Sequence, residues 1–429
     1  MTLKQFFQSI SGLIVLFIIL GCRSDSVVNN DTPHKPNIPD VPHIPGHTSE
    51  DILNVIYFLP KGSEPVSGYL NRISNILLDA QKYYGKWMEH WGYGNETFRL
   101  NKRGPSIVNI IVINGEKTKD FYVYDIHNDR GVSTQIRTEV LNYFKLHPNE
   151  KHGSYNLVIL PAITPPTLNG GNAAVTHGGV PFYGSNKWCY AVDYQGLDLR
   201  NLGKDDAQGK LATYLIGGML HELGHGLGLY HNIGRSDEKS SFGEGLMGYG
   251  ALHYGTTYPT YLTSADAAIL SVNPTVSTQL RSDWLKDPNF HLPKISVSVN
   301  NNGVILSGVF STDKTVKAIT VNFNTILKGG ENDPQQEQER QGYGSVGLGE
   351  KYINNTGDGR FSIYMPNNAL YNNTWLDGEP FRITIRFCHD NGVITSKMFD
   401  KNLYRGMNES HVFNHNSYSA KIQDYIMYE

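Results

Sequence analysis

One run of eleven residues limits what this chain can become more than any other. His221-Glu-Leu-Gly-His-Gly-Leu-Gly-Leu-Tyr-His231 spells H-E-x-x-H-x-x-G-x-x-H without a gap. On a helix, residues four apart share a face, so His221 and His225 can address one metal ion. Two neutral imidazoles with a carboxylate beside them are the donor set of a hydrolytic zinc site. Glu222 follows the first ligand and is placed to polarise a water. The helix must then stop and turn back. Gly228 supplies a left-handed exit, and His231 arrives three residues later as a third ligand. Three protein ligands leave a fourth position open, which marks a catalytic rather than a structural site. The upstream run 211–220 is apolar enough for a buried helix.

This segment resembles the metzincin clan of zinc endopeptidases, whose extended motif it matches in full. Downstream, Gly245-Leu-Met-Gly-Tyr249 is similar to the clan's methionine turn, with Met247 sixteen residues beyond His231. Tyr249 is similar to the tyrosine of the astacin- and serralysin-like branches, which ligates zinc or stabilises the oxyanion. A purely structural tyrosine is the other reading, in a chain with 26 of them. The resemblance implies a zinc-dependent peptide-bond hydrolase that binds protein or peptide substrates, with Glu222 as general base.

Bulk properties restrict the alternatives. Among 429 residues, 37 basic and 40 acidic side chains leave a formal charge of −3, so nothing points to nucleic acid. Three cysteines, Cys22, Cys189 and Cys388, are too few for a disulfide scaffold. Cys189 and Cys388 are expected as free buried thiols, the alternative being a bridge between domains.

Residues 1–22 read as a targeting segment, with Lys4 before an apolar stretch too short to span a bilayer. Ile19-Leu-Gly-Cys22 resembles a bacterial lipobox, with isoleucine where leucine is usual. That implies export to the cell envelope of a bacterium with an outer membrane, and a lipid anchor on Cys22. A plain secretory signal is the other reading. Residues 23–48 carry Pro33, Pro36, Pro39, Pro42 and Pro45, a polyproline-type linker that cannot bury a core.

The folded part is expected over 49–288 and 289–429. Strands at 54–59, 107–113 and 155–160 alternate with helices at 66–90 and 133–146, the latter with Ser133 as N-cap. That order predicts an α/β (α+β) zincin-like domain with a parallel-rich sheet. Two more strands are expected at 173–177 and 188–193, one of them an antiparallel edge that receives substrate, by analogy with the clan. His177 is expected not to be a ligand. Residues 232–244 are expected to be a solvated loop. Its Asp237, Glu238 and Glu244 lack calcium-loop spacing, so calcium finds no support. A closing helix is expected over 263–271, with Thr263 as N-cap and Asp266 completing a capping box, ended by Pro274.

Beyond residue 290 the texture changes to short alternating runs at 295–299, 303–310, 316–323, 361–364 and 381–387. These predict an all-β sandwich, Ig- or fibronectin-like, with a polar insert at 335–341. The reading is an exported zinc endopeptidase. A non-catalytic lipoprotein that binds glycan or protein on a protease scaffold is the alternative, as is a maturation factor for one envelope partner.

Overall fold

A computed structural model describes residues 51–124, 129–169, 174–300, 303–325, 345–352, 357–369, 377–404, 409–414 and 425–426. The leader, Cys22, the proline-rich linker and the polar insert at 335–341 lie outside the described residues.

The first sheet runs β2-β1-β3-β7-β6. Its strands are β1 (Asn54–Lys61), β2 (Ile110–Thr118), β3 (Asn156–Pro161), β6 (Gly184–Ser185) and β7 (Trp188–Asp193). The first four in that order pair in parallel, and β6 alone is antiparallel, on β7. Strands β1, β3 and β7 are buried almost end to end, as their unbroken apolar runs require when both faces are covered. Neighbouring residues of β7 show what covers them. Cys189 packs beneath Gly226 of the helix α3 (Ala207–Gly226), whereas the Tyr190 hydroxyl reaches the Ser133 carbonyl of α2 (Asp129–Leu146) at 3.1 Å. Adjacent strand residues point to opposite faces, so α2 and α3 lie on opposite sides of the sheet. Helix α1 (Tyr69–His90) joins α3, its Tyr84 hydroxyl donating to the Leu220 carbonyl at 2.7 Å. Arg72 of α1 clamps Asp193 at the end of β7 at 2.7 Å, and the Tyr57 hydroxyl donates to the same carboxylate at 2.8 Å.

Three expectations shift here. Helix α2 begins at Asp129, so Ser133 is buried one turn inside it rather than capping it. Among the described residues, the expected strand at 173–177 does not join the main sheet. Its described part, β5 (Ala174–Val175), pairs only with β4 (Leu168–Asn169). The antiparallel edge is instead β6, joined to β7 by a two-residue turn in which Asn186 and Lys187 have φ of 48° and 68°. That is the twist a tight hairpin demands.

Residues 232–244 also differ from a solvated loop. They contain α4 (Ser236–Phe242), followed by β8 (Glu244–Gly245), which pairs with β9 (Thr260–Tyr261). Glu238 is buried and accepts from the Ser264 hydroxyl at 2.8 Å. Asp237 pairs with Arg235, and Glu244 with Lys239 at 2.9 Å. The three acids therefore face protein partners and do not converge. Helix α5 (Ser264–Leu270) follows, with the capping box between Thr263 and Asp266 formed as expected.

The C-terminal region builds two antiparallel sheets over a shared core. One has the order β14-β11-β10-β17, from β10 (His291–Asn300), β11 (Gly303–Thr312), β14 (Gly357–Pro366) and β17 (Glu409–Asn414). The other has the order β13-β12-β15-β16-β18, from β12 (Val316–Thr325), β13 (Val346–Lys351), β15 (Asp377–His389), β16 (Ile394–Tyr404) and β18 (Tyr425–Ile426). Val297, Phe310, Val321, Phe323, Ile383 and Phe387 are among the side chains buried in that core. Cys189 and Cys388 are both free and buried.

Candidate metal centre

Helix α3 is apolar nearly all round and buried, with Asp206 capping its start through the Gly209 amide at 2.6 Å. Its end is fixed by backbone chemistry. Gly228 adopts φ 94°, and the last carbonyls are taken by Gly228 N–H to His225 O (3.0 Å) and Leu229 N–H to Gly224 O (2.9 Å). This left-handed exit is the one expected of Gly228. It also turns the Leu229 carbonyl back to His225 Nδ1, at 2.9 Å. His221 Nδ1 meets the Leu246 carbonyl at 2.8 Å.

A ring nitrogen facing a carbonyl must carry the proton and donate, which leaves the Nε2 lone pair of His221 and of His225 as the one that can ligate. Those lone pairs converge. His225 Nε2 lies 3.0 Å from His221 Nε2 and 3.1 Å from His231 Nε2. The three candidate nitrogens lie within 4.8 Å of one another, the only such grouping of His, Cys, Asp or Glu among the described residues. Nitrogens bound to one ion at ~2.1 Å in tetrahedral geometry stand about 3.4 Å apart. Three neutral imidazoles at this spacing, each oriented by a carbonyl where the partner is seen, fit a zinc-type cation. Burial lowers the basicity of all three rings, His231 to about 3, with neighbouring imidazoles adding to the effect at His221 and His231. They are therefore held in the neutral, ligating form.

Met247 is fully buried beneath this helix. Its sulfur would lie 2.5 Å from a Cβ on Gly224, the residue before His225, so a larger residue there requires Met247 to shift. The Met247 carbonyl accepts from Asn232 N–H at 3.0 Å, which ties this turn to the residue after His231. Tyr249 begins the short 3-10 helix Tyr249–His253 and is 37% exposed. His177 stacks on Phe182 at 4.3 Å and on Tyr214 at 6.0 Å, apart from the three ligand candidates.

Glu222 is half-buried on the helix. Burial raises its carboxyl to about 8, opposed by the Gly184 N–H that it accepts. A cation in the histidine cluster would act in the opposite direction and favour the carboxylate. Gly184 lies between the two strands expected at 173–177 and 188–193, where glycine is expected to let substrate approach, but nothing in the sequence marks it as a neighbour of Glu222. A side chain there would overlap the Glu222 carbonyl oxygen, so edge strand β6 rests directly on the helix at the candidate base. Asn232, buried beside His231, was also missed. Its signal is chemical only: a buried amide needs four partners' worth of hydrogen bonds, and a loop reading hides that need.

The class to which this fold and site point is a protease, and solved structures support it. Wild-type OgpA from Akkermansia muciniphila superposes with a TM-score of 0.73 at 30% identity, covering 85% of this chain and 97% of OgpA. A catalytically inactive OgpA in complex with glycodrosocin, an O-glycopeptide substrate, gives a TM-score of 0.70 at 30% identity, covering 89% and 97%. The chain belongs to the OgpA family. No protein-family model and no curated protein sequence matches it.

Proposed function

We propose that this protein is a zinc-dependent endopeptidase of metzincin type acting on O-glycosylated peptides. The observation that carries the reading is the convergence of three imidazole Nε2 atoms on the helix that bears Glu222. The glycopeptide substrate class comes from the OgpA complex. His221, His225 and His231 would hold the ion. When bound, zinc supplies a Lewis acid that polarises the scissile carbonyl and acidifies water. Glu222 takes a proton from the attacking water and returns it to the leaving amine nitrogen. Strand β6, the antiparallel edge, lines up the substrate backbone by strand addition beside Glu222. Tyr249, on the segment that follows Met247, is the candidate donor to the oxyanion.

Replacing Glu222 by Gln keeps shape and removes the base. The expected result is metal content equal to the wild type with cleavage reduced at least ~1000-fold. Undiminished cleavage in that variant would refute the mechanism. Export and lipid anchoring at Cys22 complete the proposal. Membrane fractionation of Cys22→Ser tests that part: release of the variant supports the anchor, and retention equal to the wild type contradicts it.

A further inference from the structure

The C-terminal sheets touch the loop that carries the third ligand on both sides of His231. On the C-terminal side, Asn232 is 1% exposed. Its Oδ1 accepts from Gly347 N–H and from Gly234 N–H, both at 2.9 Å, and its Nδ2 donates to Thr263 Oγ1 at 2.8 Å. The next residue, Ile233, donates its N–H to the Ser345 carbonyl at 2.8 Å. On the N-terminal side, the Tyr230 ring lies beneath the Arg386 guanidinium at 3.7 Å. Arg386 is 4% exposed, sits on β15, and donates to Asn322 Oδ1 at 2.7 Å; Asn322 in turn donates to Ser345 Oγ at 3.3 Å. No carboxylate pairs with this buried guanidinium among the described residues. A guanidinium over a ring face is attracted by the ring's negative face, so Arg386 and Tyr230 hold each other in place.

Strand β13 explains how the sheets come so close. It is the edge strand of its sheet, and edge strands leave backbone groups open. Here Ser345 O, Gly347 N and Gly349 N are taken by Ile233, Asn232 and Ser264. A Cβ on Gly347 would overlap the Asn232 amide and lie 2.7 Å from Asn322 Nδ2. The bare backbone of β13 is what lets Asn232 seat.

We propose that the C-terminal sheets position the third metal ligand, with Asn232, Gly347 and Arg386 as positioning residues that fix His231 relative to His221 and His225. The proposal rests on the reading of those histidines as a metal site. It assigns the region beyond residue 290 a part in metal affinity, besides any contact with substrate.

The test is competitive Zn²⁺ titration of the metal-free full chain against a chromophoric chelator, with the visible bands of the Co²⁺-loaded protein as a second readout. Gly347→Ala and Arg386→Met are compared with His231→Ala and with Tyr364→Ala, an exposed position on β14. Gly347→Ala and Arg386→Met are each expected to weaken zinc binding about 10-fold and to shift the cobalt bands, as loss of ligand-orienting contacts does. Tyr364→Ala is expected to match the wild type, and His231→Ala to lose more than any other variant. Wild-type affinity and cobalt bands in both Gly347→Ala and Arg386→Met, with His231→Ala impaired, would overturn the positioning role and leave the metal site standing. Wild-type affinity in His231→Ala would overturn the metal site itself. Should Gly347→Ala fail to fold, Arg386→Met, which keeps an apolar stem of similar length, decides alone.

Discussion

At the scale of the residue, the site depends on which nitrogen each imidazole offers and on what presses against Glu222. His221 and His225 each donate from Nδ1 to a carbonyl created by a turn, Leu246 in one case and Leu229 in the other. Neither carbonyl is specified by the motif, but the motif's Gly228 produces the turn that supplies the second. Gly184→Ala is expected to push β6 off the helix, because its Cβ would overlap the Glu222 carbonyl oxygen. Peptide cleavage should fall about 10- to 100-fold while zinc content is unchanged, as misplacement by ~1 Å does. Activity assays with metal analysis check this, and wild-type turnover would show that β6 has no part in positioning the base. The ligand candidates were legible because helix geometry ties four-residue spacing to one face. Gly184 and Asn232 were not, because their partners lie far off in sequence: 115 residues separate Asn232 from Gly347.

At the scale of the element, the structure turns an expected loop into a helix with a buried acid. Glu238 on α4 accepts from Ser264 on α5, with Arg235, Asp237 and Asp266 as the charged groups acting on this pocket. Burial raises Glu238 to about 7 from an ordinary 4.5, and raises Asp266 to about 7 as well. Both carboxyls thus hold their protons more tightly in the folded chain than in the unfolded one. Their contribution is fully present below about pH 4, falls as pH rises, and is lost as pH passes about 7. Thermal melting should therefore drop between pH 5 and pH 8, and Glu238→Gln should flatten that drop by on the order of 1 kcal/mol or more at pH 8. An unchanged pH profile in the variant would contradict the assignment. The sequence concealed this because a polar run with Gly243 looks solvated when nothing shows what packs on it. Strand β13 escaped notice for a related reason: Val346-Gly-Leu-Gly-Glu-Lys351 has two glycines that signal a turn, and here they serve close approach to another segment. The capping box at Thr263 and the apolar strands β1, β3 and β7 were readable, since their signals are local.

At the scale of the whole molecule, the change in texture near residue 290 separates two kinds of architecture, but each of the two cores draws residues from across it. Ala318 and Cys388 of the C-terminal sheets belong to the core around the first sheet, and Ile233 belongs to the core between the C-terminal sheets. Lys317 reaches the Ser271 carbonyl at 3.0 Å, and Arg281 bonds Asp390 at 2.7 Å across the same junction. Cores that each draw residues from across the junction should melt together, so calorimetry of the full chain is expected to show one transition. Two well-resolved transitions would mean that the junction is weaker than its contacts suggest. Periodicity revealed the layers on each side of the junction but carried no information about which layer meets which. The central claim, that three histidines and one glutamate make a metal-dependent glycopeptidase, is tested most directly with a matched pair of peptides, one O-glycosylated and one bare, alongside zinc analysis of the same preparation. The account predicts one zinc per chain and chelator-sensitive cleavage of the glycosylated peptide at least ~100-fold faster than the bare one. Protein without zinc, or cleavage that a chelator leaves untouched, would contradict it.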